Sequence, residues 1–246
     1  MKIGIFGGTF NPVHLGHLAV CEAVHSGHEL DSVLLLPSGS PPHKQGHSQL
    51  AAAHHRLEMV RIAAEGIEFL EPCTVEIERS GPSYMVDTLE ILQERHQGDE
   101  LFLVVGGDTV GELPTWYCWQ RLFALARVVS VNRPGFDPGF EAESFPGISE
   151  EALQQCRADR IEMEEVDISS TRVRELAAAG GDFSSWVPPA VVDYIAAHSL
   201  FSSGGRRPFA GFTSGKRLRG NKLATVRGLI ILARRGGQLF SLRSGV

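Results

Sequence analysis

The sequence predicts an α/β protein built on a doubly wound, parallel sheet. Three observations predict it. Strand-like and helix-like patterns alternate from residue 2 to about residue 200. The clearest strand, LFLVV at 101–105, is apolar throughout, as a strand covered on both faces should be. The glycine-rich and polar segments fall where strands end and helices begin, which is where such sheets bind ligands.

Residues 1–6 form an apolar run broken only by Lys2 and Gly4, and read as a buried strand. Gly7 and Gly8 turn the chain, Asn11 and Pro12 bend it again, and residues 16–24 carry helical periodicity. Residues 32–36 give a second strand, followed by the loop PSGSPPHKQGHSQ. Residues 51–64 are helical, 74–78 alternate like a half-buried strand, and 84–96 are helical again. The strand at 101–105 runs into Gly106-Gly107, and 127–131 is another strand. A helix at 150–157, a strand at 161–166 and helices at 170–179 and 189–198 complete the alternation. A body of residues 1–201 is therefore expected to fold as one domain.

The chain of 246 residues is long enough for one large domain or two small ones, and 43% hydrophobic with 21% charged residues suits a globular protein. No apolar run approaches the ~20 residues of a membrane span, and the N-terminus does not resemble a signal peptide. Cys21, Cys73, Cys118 and Cys156 are far apart with no CxxC, so reduced thiols in a cytoplasmic protein are expected. The formal net charge of −6 is uneven: residues 202–246 carry ten Lys or Arg and no acid. This segment reads as a basic extension without a core of its own, or as a read-through end, or as a nucleic-acid-binding tail. The acidic body makes a poor general nucleic-acid binder, so an anionic ligand must meet a local basic pocket.

The segment GGTFNPVHLGH suggests such a pocket. His14 and His17 stand where a strand gives way to a helix, and a helix N-terminus offers unpaired N–H groups to an anion. Two imidazoles add donors that can carry charge, and the glycines admit a phosphate close to the backbone. Neither GxxxxGK(S/T) nor GxGxxG is present. A plain strand-to-helix turn with a capping histidine is the competing reading, whereas zinc lacks both a cysteine cluster and HExxH. Three further segments lie at strand ends. PSGSPPHK presents His43 and Lys44 on a proline-stiffened loop, GGDTVGELPTWYCW presents Asp108 and a run of aromatics, and DISSTRVR opens a helix with a serine cap. Solvated loop, packed core and ordinary cap are the respective alternatives.

GGTFNPVHLGH resembles the GGTFDPxHxGH signature of the nicotinate-nucleotide adenylyltransferases, within the HxGH nucleotidyltransferase superfamily. Asn11 stands where Asp is commoner. PSGSPPHK is similar to the family's PxxxPPHK loop, HHRLEMV to its RxxM helix, and SGPSYMVDTLE to its SYTxDTL, with Met85 for the usual Thr. The resemblance continues through GGDTVGELPTWYCW, VNRPG and ISSTRVR, so it spans residues 3–200 in order.

The resemblance implies a Rossmann-like nucleotidyltransferase fold and transfer of AMP from ATP to nicotinate mononucleotide, giving nicotinate adenine dinucleotide and pyrophosphate in NAD biosynthesis. It implies that His14, His17, Lys44 and Arg174 stabilise charge on the reacting phosphates. Gly7, Gly8, Thr9, Phe10, Asp108, Ile168, Ser169, Ser170 and Thr171 are the implied ATP contacts. His43, Tyr84, Thr88, Leu89, Trp116, Tyr117 and Arg133 are the implied contacts of the mononucleotide, with Trp116 stacking on the pyridine. Mg²⁺ is expected through the substrate phosphates, with no side-chain cage assigned. Arg56 is carried over only as a structural residue. Two rivals remain: another HxGH-type adenylyl- or cytidylyltransferase, which should lack the PTWY aromatics, and a non-catalytic nucleotide sensor, which should have lost the polyphosphate residues. Membrane partners are not expected, nucleic acid only through the tail, and oligomerisation is left open.

Overall fold

The computed structural model describes residues 1–41, 49–132, 135, 139–164, 166–202, 231–235 and 238–242. Its centre is a sheet that starts with β1 (Lys2–Gly8), β2 (Ser32–Pro37) and β3 (Leu70–Pro72) and continues with β4 (Glu100–Gly106), β5 (Arg127–Asn132) and β6 (Ile161–Met163). These six strands run parallel, in the order β3-β2-β1-β4-β5-β6. The order reverses between β1 and β4, so the connections after those two strands leave in opposite directions and open a crevice at their carboxyl ends.

Strand periodicity sorts the core. On β4, Leu101, Leu103 and Val105 enter one cluster while Phe102 and Val104 enter the other. One face is covered by α1 (Leu15–His28), α2 (Ala53–Ala64), α8 (Ser170–Ala179) and α9 (Pro189–Ala197), whose Leu18, Met59, Val173 and Val191 share a cluster. The opposite face is covered by α3 (Val75–Glu78), α4 (Met85–Arg95), α6 (Trp119–Leu125) and α7 (Glu150–Ala158), through Val75, Leu89, Leu122 and Leu153. The short helix α5 (Gly107–Val110) continues directly from β4.

Most expected elements are present, and three differences have physical causes. Residues 74–78 form the helical turn α3 rather than a strand, and the neighbouring strand is β3. The alternation of TVEIE misleads because the consecutive residues Val75 and Glu76 are both buried, Glu76 with its carboxylate accepting from the Thr88 hydroxyl at 3.0 Å. The expected strand at 161–166 stops at Met163. The basic tail was expected to carry no structure, yet β7 (Ile231–Arg235) pairs antiparallel with β6, and β8 (Gln238–Leu242) pairs antiparallel with β7. That edge is reinforced at the amino ends of the strands. Arg235 donates to Asp159 Oδ1 at 2.9 Å and to Gly27 O at 3.0 Å, while Arg127 forks onto the same buried carboxylate at 2.7 Å. A boundary at residue 201 therefore separates chain segments, and residues 231–235 and 238–242 belong to the sheet of the body.

Candidate active site

The site is built on the turn from β1 to α1. Phe10 holds a left-handed backbone at φ 46°, and its buried ring folds back against Phe6 and His17 with centroids 5.7 and 5.0 Å away. Gly8 makes room for that ring: a Cβ there would lie 3.0 Å from Phe10 Cζ. Gly7 is approached as closely from α4, since its Cβ would lie 2.5 Å from the terminal methyl of Met85.

His14 is the N-cap of α1 and only 6% exposed. Its ring stacks on His17 with centroids 3.6 Å apart, and its backbone N–H donates to His17 Nδ1 at 3.1 Å. That bond fixes the tautomer of neutral His17, whose proton then sits on Nε2. Burial pushes His14 down to about 4, so its imidazole is neutral near pH 7. His14 Nδ1 is buried and faces the backbone of Gly16. The glycine between the histidines has a steric reason. A Cβ on Gly16 would lie 3.1 Å from His14 Nδ1 and 3.2 Å from Cε1.

The second wall is the start of α8. Ser169 caps this helix, its hydroxyl accepting from Arg172 N at 3.2 Å. Ser170 donates to Pro12 O at 2.9 Å, and Arg174 donates to Asn11 O at 2.9 Å and to Thr171 Oγ1 at 3.3 Å. Residues separated by more than 150 positions in sequence are thus tied into one surface. It carries two helix N-termini, two histidines and a guanidinium, a combination suited to a polyanion. Ile168 packs half-buried beside this junction, and Thr9 belongs to the turn itself.

Across Gly7 lies an aromatic surface. Tyr84, the N-cap of α4, packs against Tyr117 with centroids 4.7 Å apart, and Tyr117 is 57% exposed. Trp116 is half-buried against the core on the same side of the sheet. A flat aromatic ligand can find partners of this kind. The first-turn N–H groups of α4 have no helical acceptors, and Arg79 pairs with the neighbouring Asp87 carboxylate, which lowers its cost to an incoming anion.

Thr88 and Leu89 are placed differently from what the resemblance implies. Both side chains are wholly buried. The Thr88 hydroxyl donates to Glu76 Oε1 at 3.0 Å, and its N–H is bonded to Tyr84 O within α4 at 3.3 Å. Their side chains pack and brace the helix. Asp108 stands exposed in α5 just beyond β4, at the switch point. His43, Lys44 and Arg133 lie outside the described residues.

Three residues at the site carry more than their motifs suggest. Asn11 is a two-sided clip: Nδ2 donates to Gln49 O at 2.9 Å, and Oδ1 accepts from Ala51 N at 3.0 Å. An aspartate could make only the second bond. Gly16 accommodates His14, as above, and Arg56 is buried among backbone carbonyls. Only the burial of these neighbours gives the residues those tasks, and burial is not written in a motif. Among the described residues no group of three or more His, Cys, Asp or Glu could hold a metal ion, and no helix is long and apolar enough to cross a membrane.

This fold and this pair of opposed helix N-termini define a nucleotidyltransferase of the cytidylyltransferase-like class, whose family model matches residues 5–176. The chain belongs, more narrowly, to the nicotinate-nucleotide adenylyltransferase family. A relative from Roseiflexus sp. (strain RS-1), named "Probable nicotinate-nucleotide adenylyltransferase", is 43% identical over 202 residues, 81% of this chain and 97% of the relative. One of the same name from Shewanella frigidimarina is 36% identical over 215 residues, 82% of this chain and the whole of the relative. Among solved structures, the Plasmodium falciparum nicotinic acid mononucleotide adenylyltransferase complexed with NaAD shares the fold at a TM-score of 0.64 with 20% identity, covering 81% of this chain and 97% of that one.

Proposed function

We propose that this chain transfers AMP from ATP to nicotinate mononucleotide, forming nicotinate adenine dinucleotide and releasing pyrophosphate, as a step of NAD biosynthesis. The observation that carries the proposal is the docking of α8 on the β1–α1 turn, through Ser170 to Pro12 O and Arg174 to Asn11 O, beside the stacked His14 and His17. The names of the relatives point to the same reaction.

A phosphate oxygen of the mononucleotide attacks the α-phosphorus of ATP, and the bond from that phosphorus to the bridging oxygen of pyrophosphate breaks. No side chain is needed as a nucleophile. The protein contributes position and a field that favours charge on the leaving group. His17, held by the His14 N–H, presents a donor at Nε2, and the start of α8 with Arg174 receives the polyphosphate from the other side. Mg²⁺ belongs to this reading as a companion of the phosphates, and the exposed carboxylate of Asp108, just beyond β4, is a group that would support it. It would supply charge neutralisation on the pyrophosphate. The acceptor's ring is assigned to Tyr84, Trp116 and Tyr117, and its carboxylate to the start of α4. A cytoplasmic setting belongs to the same reading, supported by four unpaired cysteines.

Acceptor choice tests the proposal. A carboxylate satisfies unpaired helix N–H donors, whereas the NH₂ of an amide opposes them, at about 1–3 kcal/mol for each donor left unpaired. Pyrophosphate release should therefore show at least about tenfold higher kcat/KM for nicotinate than for nicotinamide mononucleotide. Equal values would overturn this assignment of the acceptor site.

A further inference from the structure

Arg56 lies on α2, outside the phosphate-facing surface, and is 1% exposed. All three guanidinium nitrogens donate to backbone carbonyls on three different segments. Nη1 reaches Thr9 O at 2.9 Å, Nη2 reaches Gly39 O at 3.2 Å and Nε reaches Ala51 O at 3.0 Å. Thr9 is in the turn after β1, Gly39 follows β2, and Ala51 precedes α2. Asn11 joins the same turn to Gln49 and Ala51 from the other side. Gly39 is in turn pressed against α3, since a Cβ on it would lie 2.1 Å from Glu76 O. Burying a cation for packing alone is a poor bargain, and a leucine or methionine could fill the space. A planar fork of donors that fixes three chain segments at one point is something an apolar residue cannot supply.

We propose that Arg56 and Asn11 are positioning residues for adenylyl transfer: together they lock the phosphate-facing turn of residues 9–14 to the segments that follow β2 and precede α2. Neither side chain touches the reacting atoms. They act by fixing where the turn, and with it His14 and His17, stands relative to the α-phosphate. This inference rests on the adenylyl-transfer reading, which the unmodified enzyme tests by itself. The comparison between variants and unmodified enzyme tests the inference.

The experiment measures kcat, both KM values and Tm for Arg56→Lys, Asn11→Ala and the control Val60→Ala. Val60 lies on the same helix and is fully buried, and its apolar side chain can make no hydrogen bond to the turn. Lysine keeps the charge but cannot fork to three carbonyls. The expected result is a fall in kcat of at least about tenfold for Arg56→Lys and Asn11→Ala, assayed well below their melting temperatures. Both KM values should stay within about threefold, because binding energy from the rest of the site is retained. Val60→Ala should lower Tm with kcat unchanged. If Arg56→Lys does not fold, Asn11→Ala alone decides. Retention of kcat within about threefold in the folded clamp variants, or an equal loss of kcat in Val60→Ala, would show that the clamp only stabilises the fold and overturn the proposal.

Discussion

Replacing Gly16 with alanine should separate folding from catalysis. The added Cβ would sit 3.1 Å from His14 Nδ1 and 3.2 Å from Cε1, so the ring must move by a few tenths of an ångström. It has little room to do so, being buried and stacked at 3.6 Å on His17. Alanine in α1 gains about 1 kcal/mol of helix propensity. Overpacking beside the ring costs about 1–3 kcal/mol. The two nearly offset, so stability should fall by no more than ~2 kcal/mol. The displaced pair of imidazoles has no such compensation. Since about 1 Å of misplacement costs about a hundredfold, a shift of a few tenths should lower turnover by roughly three- to tenfold. Thermal melting and steady-state pyrophosphate release on the same preparation read both quantities. A variant with kcat within about twofold of the parent would refute the steric role given to Gly16.

Acid should destabilise the fold through His14. The unfolded chain takes up a proton below the ordinary value of 6.5, whereas the folded form resists until about 4, so stability is complete above 6.5 and is lost as the pH falls through that window. The difference amounts to about 3 kcal/mol, and His14→Gln should show a correspondingly shallower loss in denaturant titrations at pH 7, 5.5 and 4. Arg174→Gln, which keeps a polar side chain but removes the charge at the start of α8, should raise the KM for ATP at least about tenfold with little change in Tm, as measured by initial rates. Ending the chain at Ser202 removes the strand paired to β6 and the Arg235 bond to buried Asp159. That should cost about 1–3 kcal/mol in melting experiments while kcat is kept, since Asp159 precedes β6 at the amino end of the sheet, opposite the strand ends that carry the β1–α1 turn.

The doubly wound sheet was legible because buried parallel strands are written as apolar runs, and LFLVV at 101–105 is one. The strand-to-helix turn after β1 and the serine-capped start of α8 were legible because glycine, histidine and a serine cap do their work through local backbone geometry. What escaped the sequence depends on distant partners. TVEIE reads as a strand until Glu76 is seen buried with Thr88, whose hydroxyl donates to it. Asn11 reads as a turn former until Gln49 and Ala51 are brought to it. The basic tail reads as coreless because its local composition lacks acids, yet the acid that receives Arg235 lies 76 positions earlier.

The most direct test follows the α-phosphate. With ATP labelled at that position, nicotinate mononucleotide and Mg²⁺, the account predicts that label accumulates in nicotinate adenine dinucleotide, in equal amount to the pyrophosphate released. Label recovered in AMP or ADP, or left in ATP while the acceptor is unchanged, would contradict it.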